Sequence, residues 1–146
     1  MKAQTADYRQ RVEEIFYKAA FIRDLGIRVT HIGEGECETT LEIQPKHLQQ
    51  DTFIHAGVLA TMADHTAGGA AGSLVAKGET VLTVEFKINF LRPAVGRALH
   101  CRATVLKPGK MLSIAESEVF AVGDAAGKSE EKLVAKAMVT LVVVKS

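Results

Sequence analysis

Cysteine is nearly absent from this chain of 146 residues: only Cys37 and Cys101 occur. Two are too few for a disulfide scaffold, and neither belongs to a CxxC pair that would hold zinc. Both read as buried core thiols. An excess of either charge is also missing. Lys+Arg 18 against Asp+Glu 17 leaves a formal net charge of +1, which argues against a module that grips nucleic acid through a broad basic surface. No apolar run stands near the N-terminus, so no secretory signal is read and a reducing cytoplasm is the expected compartment. The stretch with least charge, residues 56–76, includes Asp64, His65, Thr61, Thr66 and Ser73 and few large apolar side chains. It reads as a buried helix rather than a membrane span. HExxH, Walker, GxSxG and GxGxxG motifs are missing, and the five histidines do not cluster at ligand spacing, so no metal is expected.

What is present is ordinary for one soluble domain. Hydrophobic residues make up 47% and charged residues 24%, and a chain of this length buries enough surface to fold without staples. Residues 1–146 are expected to form a single domain, opening with a helix over about 5–24. Tyr8, Val12, Ile15, Phe16 and Ala19 fall at helical spacing there, and Gly26 stands just past the end. Two short strands follow, 27–32 and 37–43, joined by a hairpin at Gly33-Glu34-Gly35. Pro45 ends the second, and residues 46–55 read as a loop.

A helix from Ala56 to about Ala76 comes next, rich in alanine and containing Gly57, Gly68, Gly69 and Gly72. Each interior glycine costs such a helix roughly 1 kcal/mol, which makes sense if another backbone packs closely against it. Four strands complete the chain, over 79–91, 97–107, 111–122 and 132–144. In the first, Leu82, Val84, Phe86, Ile88 and Phe90 alternate with Thr83, Glu85, Lys87 and Asn89. Turns at Pro108-Gly109 and Gly123–Gly127 are too short for crossover helices, so these strands should be antiparallel. The expected fold class is α+β: an antiparallel sheet curled around one long helix.

Chemistry concentrates in residues 49–65. Asp64 lies inside the most apolar helix, where a carboxylate must be paired, hydrogen-bonded, protonated or placed at an open face. Desolvated, it would serve as a general base or a nucleophile. His55 and Gly57 fall at the start of that helix, where free N–H groups hold an oxyanion. Gly57 and Asp64 are seven residues apart, about 10 Å along a helix; His55 and Asp64 are about 13 Å apart and on opposite faces. One carbonyl cannot contact both ends. If both act, they belong to different subunits, and the active form is at least a dimer. His65 does not face Asp64, its chain neighbour, and reads as a packing or pocket-lining residue.

At these residues the sequence resembles a family. His55-Ala56-Gly57-Val58-Leu59-Ala60-Thr61-Met62-Ala63-Asp64 resembles the HGG(x)6D signature of the hotdog-fold acyl-CoA thioesterases, in the PaaI-like subgroup that includes thioesterase superfamily member 2. Thr83 to Ala94, ending in Arg92-Pro93-Ala94, resembles the same family's strand and RPA segment. Ala56 stands in place of the first signature glycine, and Gln49 in place of a frequent asparagine.

The resemblance implies a hotdog fold and hydrolysis of an acyl-CoA thioester without a cofactor. Asp64 would be the catalytic carboxylate, acting as base toward water or attacking the carbonyl itself. The Gly57 N–H would polarise that carbonyl, His55 would contact the thioester region, and Thr83 would orient the water or carboxylate with Gln49 nearby. The site would lie between subunits of a homodimer or a homotetramer built as a dimer of dimers. Met62, Phe53 and His65 are expected to line the acyl pocket. Arg92, Lys107 and Lys110, at predicted strand ends, are the basic residues placed to meet coenzyme A phosphates. Two other readings stand beside hydrolysis. One is a non-catalytic acyl-CoA-binding module, against which the buried Asp64 speaks. The other is an enoyl-CoA hydratase or dehydratase, whose Asp-x4-His spacing Asp51 and His55 miss by one position.

Overall fold

The computed structural model describes residues 1–123 and 130–146. The expected turn at 123–127 lies outside the described residues except for Gly123, which takes φ 77°.

The N-terminal segment is two helices rather than one: α1 (Tyr8–Lys18) and α2 (Ala20–Leu25). Ala19 between them is extended, with φ −70° and ψ 105°. The stripe Tyr8, Val12 and Phe16 is buried on α1, whereas Ile15 is 42% exposed. The break lets Ile22 enter the core from a second direction, and the Arg23 guanidinium donates to the Tyr17 carbonyl left free at the end of α1. Gly26 ends α2 in the left-handed region, at φ 94°.

Strands β1 (Arg28–Gly33) and β2 (Glu36–Glu42) form the expected hairpin, with Gly35 at φ 77°. The segment expected as a loop begins with a 3-10 turn, Pro45–His47. His47 is fully buried. Its Nδ1 accepts from the Gln44 N–H at 2.9 Å and its Nε2 donates to the Leu25 carbonyl at 2.8 Å, tying the turn to α2.

Helix α3 (Ala56–Gly72) is one turn shorter than expected. Ser73 closes it: its hydroxyl donates to the Ala70 carbonyl at 2.7 Å and accepts from the Gly35 N–H at 2.8 Å. The small residues do permit close approach. A Cβ on Gly69 would sit 2.8 Å from Cys37 Sγ. Two buried polar contacts pin the helix to the sheet: Thr39 to Thr66 at 2.8 Å, and the Ser117 hydroxyl to the Ala63 carbonyl at 2.7 Å.

Strands β3 (Glu79–Phe90), β4 (Ala98–Lys107), β5 (Leu112–Val122) and β6 (Glu131–Lys145) complete a six-stranded antiparallel sheet of order β1-β2-β4-β5-β6-β3. The class is α+β, with the sheet wrapped around α3. The last four strands do not run in sequence, however: β3 pairs β6 at one edge, and β4 pairs β2. Leu99, Cys101, Ala103 and Val105 of β4 and Ala135, Ala137, Val139 and Leu141 of β6 face the helix and are buried. Burial first of all pushes the Cys37 and Cys101 thiols up to about 12, so both stay protonated and inert.

The strand β3 departs from the expected alternation. Its register shifts between Thr83 and Glu85, a bulge that inserts Val84 and reverses the side-chain alternation beyond it. Cross-strand partners share a face. Thr83 is opposite Leu141, Phe86 opposite Val139 and Ile88 opposite Ala137, all helix-facing residues of β6. Thr83 therefore points inward with Phe86 and Ile88, while Leu82, opposite Val142, points out.

Candidate functional site

Asp64 lies midway along α3, on the side toward β3. The bulge in β3 brings Thr83 over it, and the Thr83 hydroxyl donates to Asp64 Oδ1 at 2.7 Å. Asp64 is not desolvated as expected. It is half-buried, beside β3 at the edge of the sheet, and it also borders a cleft with Phe21 and Ile22 of α2 and Phe86. Its Oδ2 has no partner among the described residues, which leaves that oxygen for water or substrate.

The pair stands at one end of a trench of about 290 Å³. Its floor is Gly68, Gly69 and Gly72 of α3, and its walls are α1 on one side and β3 on the other. His65 lines it too. Its Nε2 donates to the Phe16 carbonyl at 3.1 Å and its ring meets that of Phe16 edge-on, centroids 4.3 Å apart. Burial is the main reason its pKa falls below the ordinary histidine value.

The start of α3 forms a second, separate groove. His55 is the N-cap, and its Nδ1 accepts from the Gly57 N–H at 2.8 Å. The amide expected to polarise a carbonyl is thus engaged by the histidine ring in this state. Gln49, Phe53 and Arg92 line the same groove as His55. Gln49 Oε1 accepts from the Asp51 N–H, which ties it into a local turn. The groove and the trench do not meet: within one chain, His55 and Gln49 are brought together, Asp64 and Thr83 are brought together, and the two sets stay apart.

One expectation fails. Met62 does not line a pocket; it is fully buried, on the face of α3 turned into the sheet, two positions before Asp64. The basic residues at the strand ends stand apart within one chain. Lys110 borders a groove with Met1 and Leu74 at the C-terminal end of α3, whereas Arg92 lies at its N-terminal end. The helix between them is about 25 Å long. The trench walls, Val12 and Val81 among them, went unrecognised in the sequence. Ile15 shares the apolar helical spacing of the buried α1 residues, so the sequence carried no signal that set the trench wall apart from the core.

Residues 52–128 match the family model of the thioesterase superfamily. The chain belongs to the thioesterase superfamily. As a member it is a thioester hydrolase, and its sheet and helix are the hotdog arrangement. A solved thioesterase family protein of Silicibacter pomeroyi is 36% identical, with TM-score 0.90, covering 95% of this chain and 99% of its own. The E. coli PaaI protein from the phenylacetic acid degradation operon shares the fold at TM-score 0.81 and 23% identity, covering 96% of this chain and 95% of its own. A curated relative, the medium/long-chain acyl-CoA thioesterase YigI of Salmonella typhimurium, is 24% identical over 74% of this chain and 80% of its own. Among the described residues no helix is long and apolar enough to cross a membrane.

Proposed function

We propose that this thioesterase hydrolyses an acyl-CoA thioester to a free carboxylic acid and coenzyme A, with Asp64 as the catalytic carboxylate. The observation that carries the reading is the bond from Thr83 to Asp64 Oδ1 at the mouth of an apolar trench. The hydroxyl fixes one oxygen and leaves the other without a partner among the described residues. As a base, Asp64 takes a proton from water while the water oxygen attacks the carbonyl carbon. The C–S bond then breaks, and the thiolate of coenzyme A leaves and is protonated. As a nucleophile, the carboxylate attacks directly and expels the thiolate, and water then opens the anhydride.

The carbonyl oxygen needs donors, and those at the start of α3 are too far along the helix in the same chain. A second copy supplies them in this reading. β3 is an edge strand with Leu82 56%, Val84 57%, Phe86 41% and Phe90 48% exposed, an apolar edge that a soluble monomer seldom presents. Paired there, two copies would bring the Gly57 amide and His55 of one toward Asp64 of the other, and Gln49, Phe53 and Arg92 with them. The Gly57 N–H then exchanges His55 Nδ1 for the substrate carbonyl. A tetramer would be two such dimers. Arg92 at the mouth of the groove is the basic residue best placed for coenzyme A phosphate.

The test is thiol release from a panel of acyl-CoA thioesters, with Asp64→Ala beside the wild type and both shown to be folded and of equal size. The expected result is turnover of at least one thioester and a fall in kcat of about 100-fold or more in the variant. Binding of thioesters without thiol release would favour the binding module instead. A fully active variant would move catalysis to another residue.

A further inference from the structure

The trench that begins at Asp64 runs on along α3, and the spacing of that helix sets its course. Residues four apart stand one above another on a helix, so Asp64, Gly68 and Gly72 form one row. All three line the trench. The two positions in line with the carboxylate therefore carry no side chain. A Cβ on Gly68 would meet nothing within 4 Å, and one on Gly72 only Val12, at 3.8 Å. Gly69 beside them is small for a different reason, since a Cβ there would sit 2.8 Å from Cys37 Sγ. Packing against the sheet thus accounts for Gly69 and leaves Gly68 unexplained. Alanine would fit at Gly68 and would favour the helix; what it would occupy is the open trench.

The lining changes along this row. Asp64, Thr83 and His65 stand at its start. Val12, Ile15, Phe16, Val81 and Leu141 then give apolar walls. Such walls would leave the amides and phosphates of coenzyme A unmatched and suit a hydrocarbon chain. Beyond Gly72 the trench is bordered by Val75 and by Glu79, whose Oε2 accepts from the Ala76 N–H at 2.9 Å. A chain that reached the Glu79 carboxylate would strip its water and give nothing in return. The apolar stretch therefore has a length. From Asp64 to Gly68 is about 6 Å along the helix axis, and to Gly72 about 12 Å. These spans correspond to about five and about ten bonds of extended chain.

We propose that Gly68 and Gly72 are the residues that set acyl-chain length in this enzyme, admitting apolar acyl groups of about eight to ten carbons into the trench. Which end of the ligand reacts rests on the hydrolase reading above. Each methylene laid between α1 and β3 leaves water, which is worth about 4-fold in binding. The gain continues while the row in line with Asp64 is glycine, and it ends at Glu79. A side chain at Gly68 ends it after one turn of the helix, and a side chain at Gly72 ends it later. Long side chains on a helix lean toward its N-terminus, so each blocks the trench slightly before its own position.

The experiment measures kcat/KM for straight-chain acyl-CoA thioesters of even length, from about two to about twelve carbons, with wild type, Gly68→Leu, Gly72→Leu and Gly68→Ala. The span covers both blocks and the far end. Wild type is expected to gain about 10-fold or more from four to eight carbons and nothing further past ten. Gly68→Leu should bring the eight-to-four ratio to about one or below. Gly72→Leu should keep the gain from four to six carbons and lose the gain from six to ten. A general defect of folding or packing lowers every substrate by one factor and moves no ratio. Gly68→Ala is the safeguard should leucine not fold there, because its Cβ enters open space; it should lower the eight-to-four ratio by about 3-fold. A wild type indifferent to length, a preference for four carbons or fewer, equal loss at all lengths in the variants, or one cut-off shared by both leucine variants overturns the proposal. If no thioester is hydrolysed, the same acyl-CoAs are titrated by calorimetry. A length dependence of affinity that moves with Gly68→Leu then supports the channel while hydrolysis fails, and affinity independent of length overturns both.

Discussion

A hydroxyl that donates to a carboxylate oxygen fixes the direction of that carboxylate, and Thr83 does so for Asp64. Hydrogen bonds to charged groups contribute about 1.5–3 kcal/mol. Thr83→Val keeps the shape of the side chain and removes the donor, so kcat should fall by about 10- to 100-fold, while Thr83→Ser should retain most of it; steady-state thiol release checks both. His65 governs a pH effect. Its folded pKa lies below the ordinary value of about 6.5, so between the two values the unfolded chain binds a proton that the folded chain does not. Stability is therefore full above about pH 6.5 and is lost as pH falls from there through the folded pKa. Urea unfolding of wild type and His65→Gln between pH 8 and 5 should show a constant difference above neutrality that shrinks below it. Asp64 was legible because a carboxylate stands out in an apolar helix. Met62 was misread because α3 is apolar nearly all round, and such a helix does not reveal which face is core. The structure shows that only one side of it, toward β3, is open.

At the scale of elements, two adjacent glycines of α3 should respond in opposite ways. Gly68 faces open space, so Gly68→Ala recovers helix propensity and should stabilise by up to about 1 kcal/mol. At Gly69 a Cβ would sit 2.8 Å from Cys37 Sγ, so Gly69→Ala overpacks the contact between α3 and β2 and should cost about 1–3 kcal/mol. Adding Cys37→Ala removes the offending sulfur, and the double variant should recover part of that loss; thermal melts of the four chains close the cycle. Every strand was readable from alternation, as was the need for small residues on a closely packed helix. Two features were not. The bulge at Val84 reverses the faces of β3 through the backbone, and no residue type in the run marks it. The break at Ala19 occurs without proline or glycine, driven by the tertiary packing of Ile22 and the Arg23 bond to Tyr17. The first of these matters for chemistry, because it turns Thr83 toward Asp64.

For the whole molecule, the question is which chain completes the site. Asp64 and Thr83 border one cavity, His55 and Gln49 another, and α3 holds them at a fixed spacing. No rotation of a side chain closes about 13 Å along a helix. In the proposed reading a second copy across the β3 edge would close it by symmetry, each helix start meeting the other chain's carboxylate. This arrangement makes an arithmetic prediction. Asp64→Ala and His55→Ala homodimers are each expected to be inactive or nearly so. Mixed as unfolded chains in equal amounts and refolded together, half of the dimers carry one chain of each kind. In those, one site pairs the altered Asp64 position with the altered His55 position, and the other has both residues intact. Thiol release should return to about one quarter of the wild-type rate. A site built within one chain gives no recovery, because every chain then carries a lesion in its own site. Val84→Lys, which places a charge on the exposed edge of β3, supplies the control: light scattering should show a shift toward monomer, and activity and recovery should be lost together with the fold intact by circular dichroism.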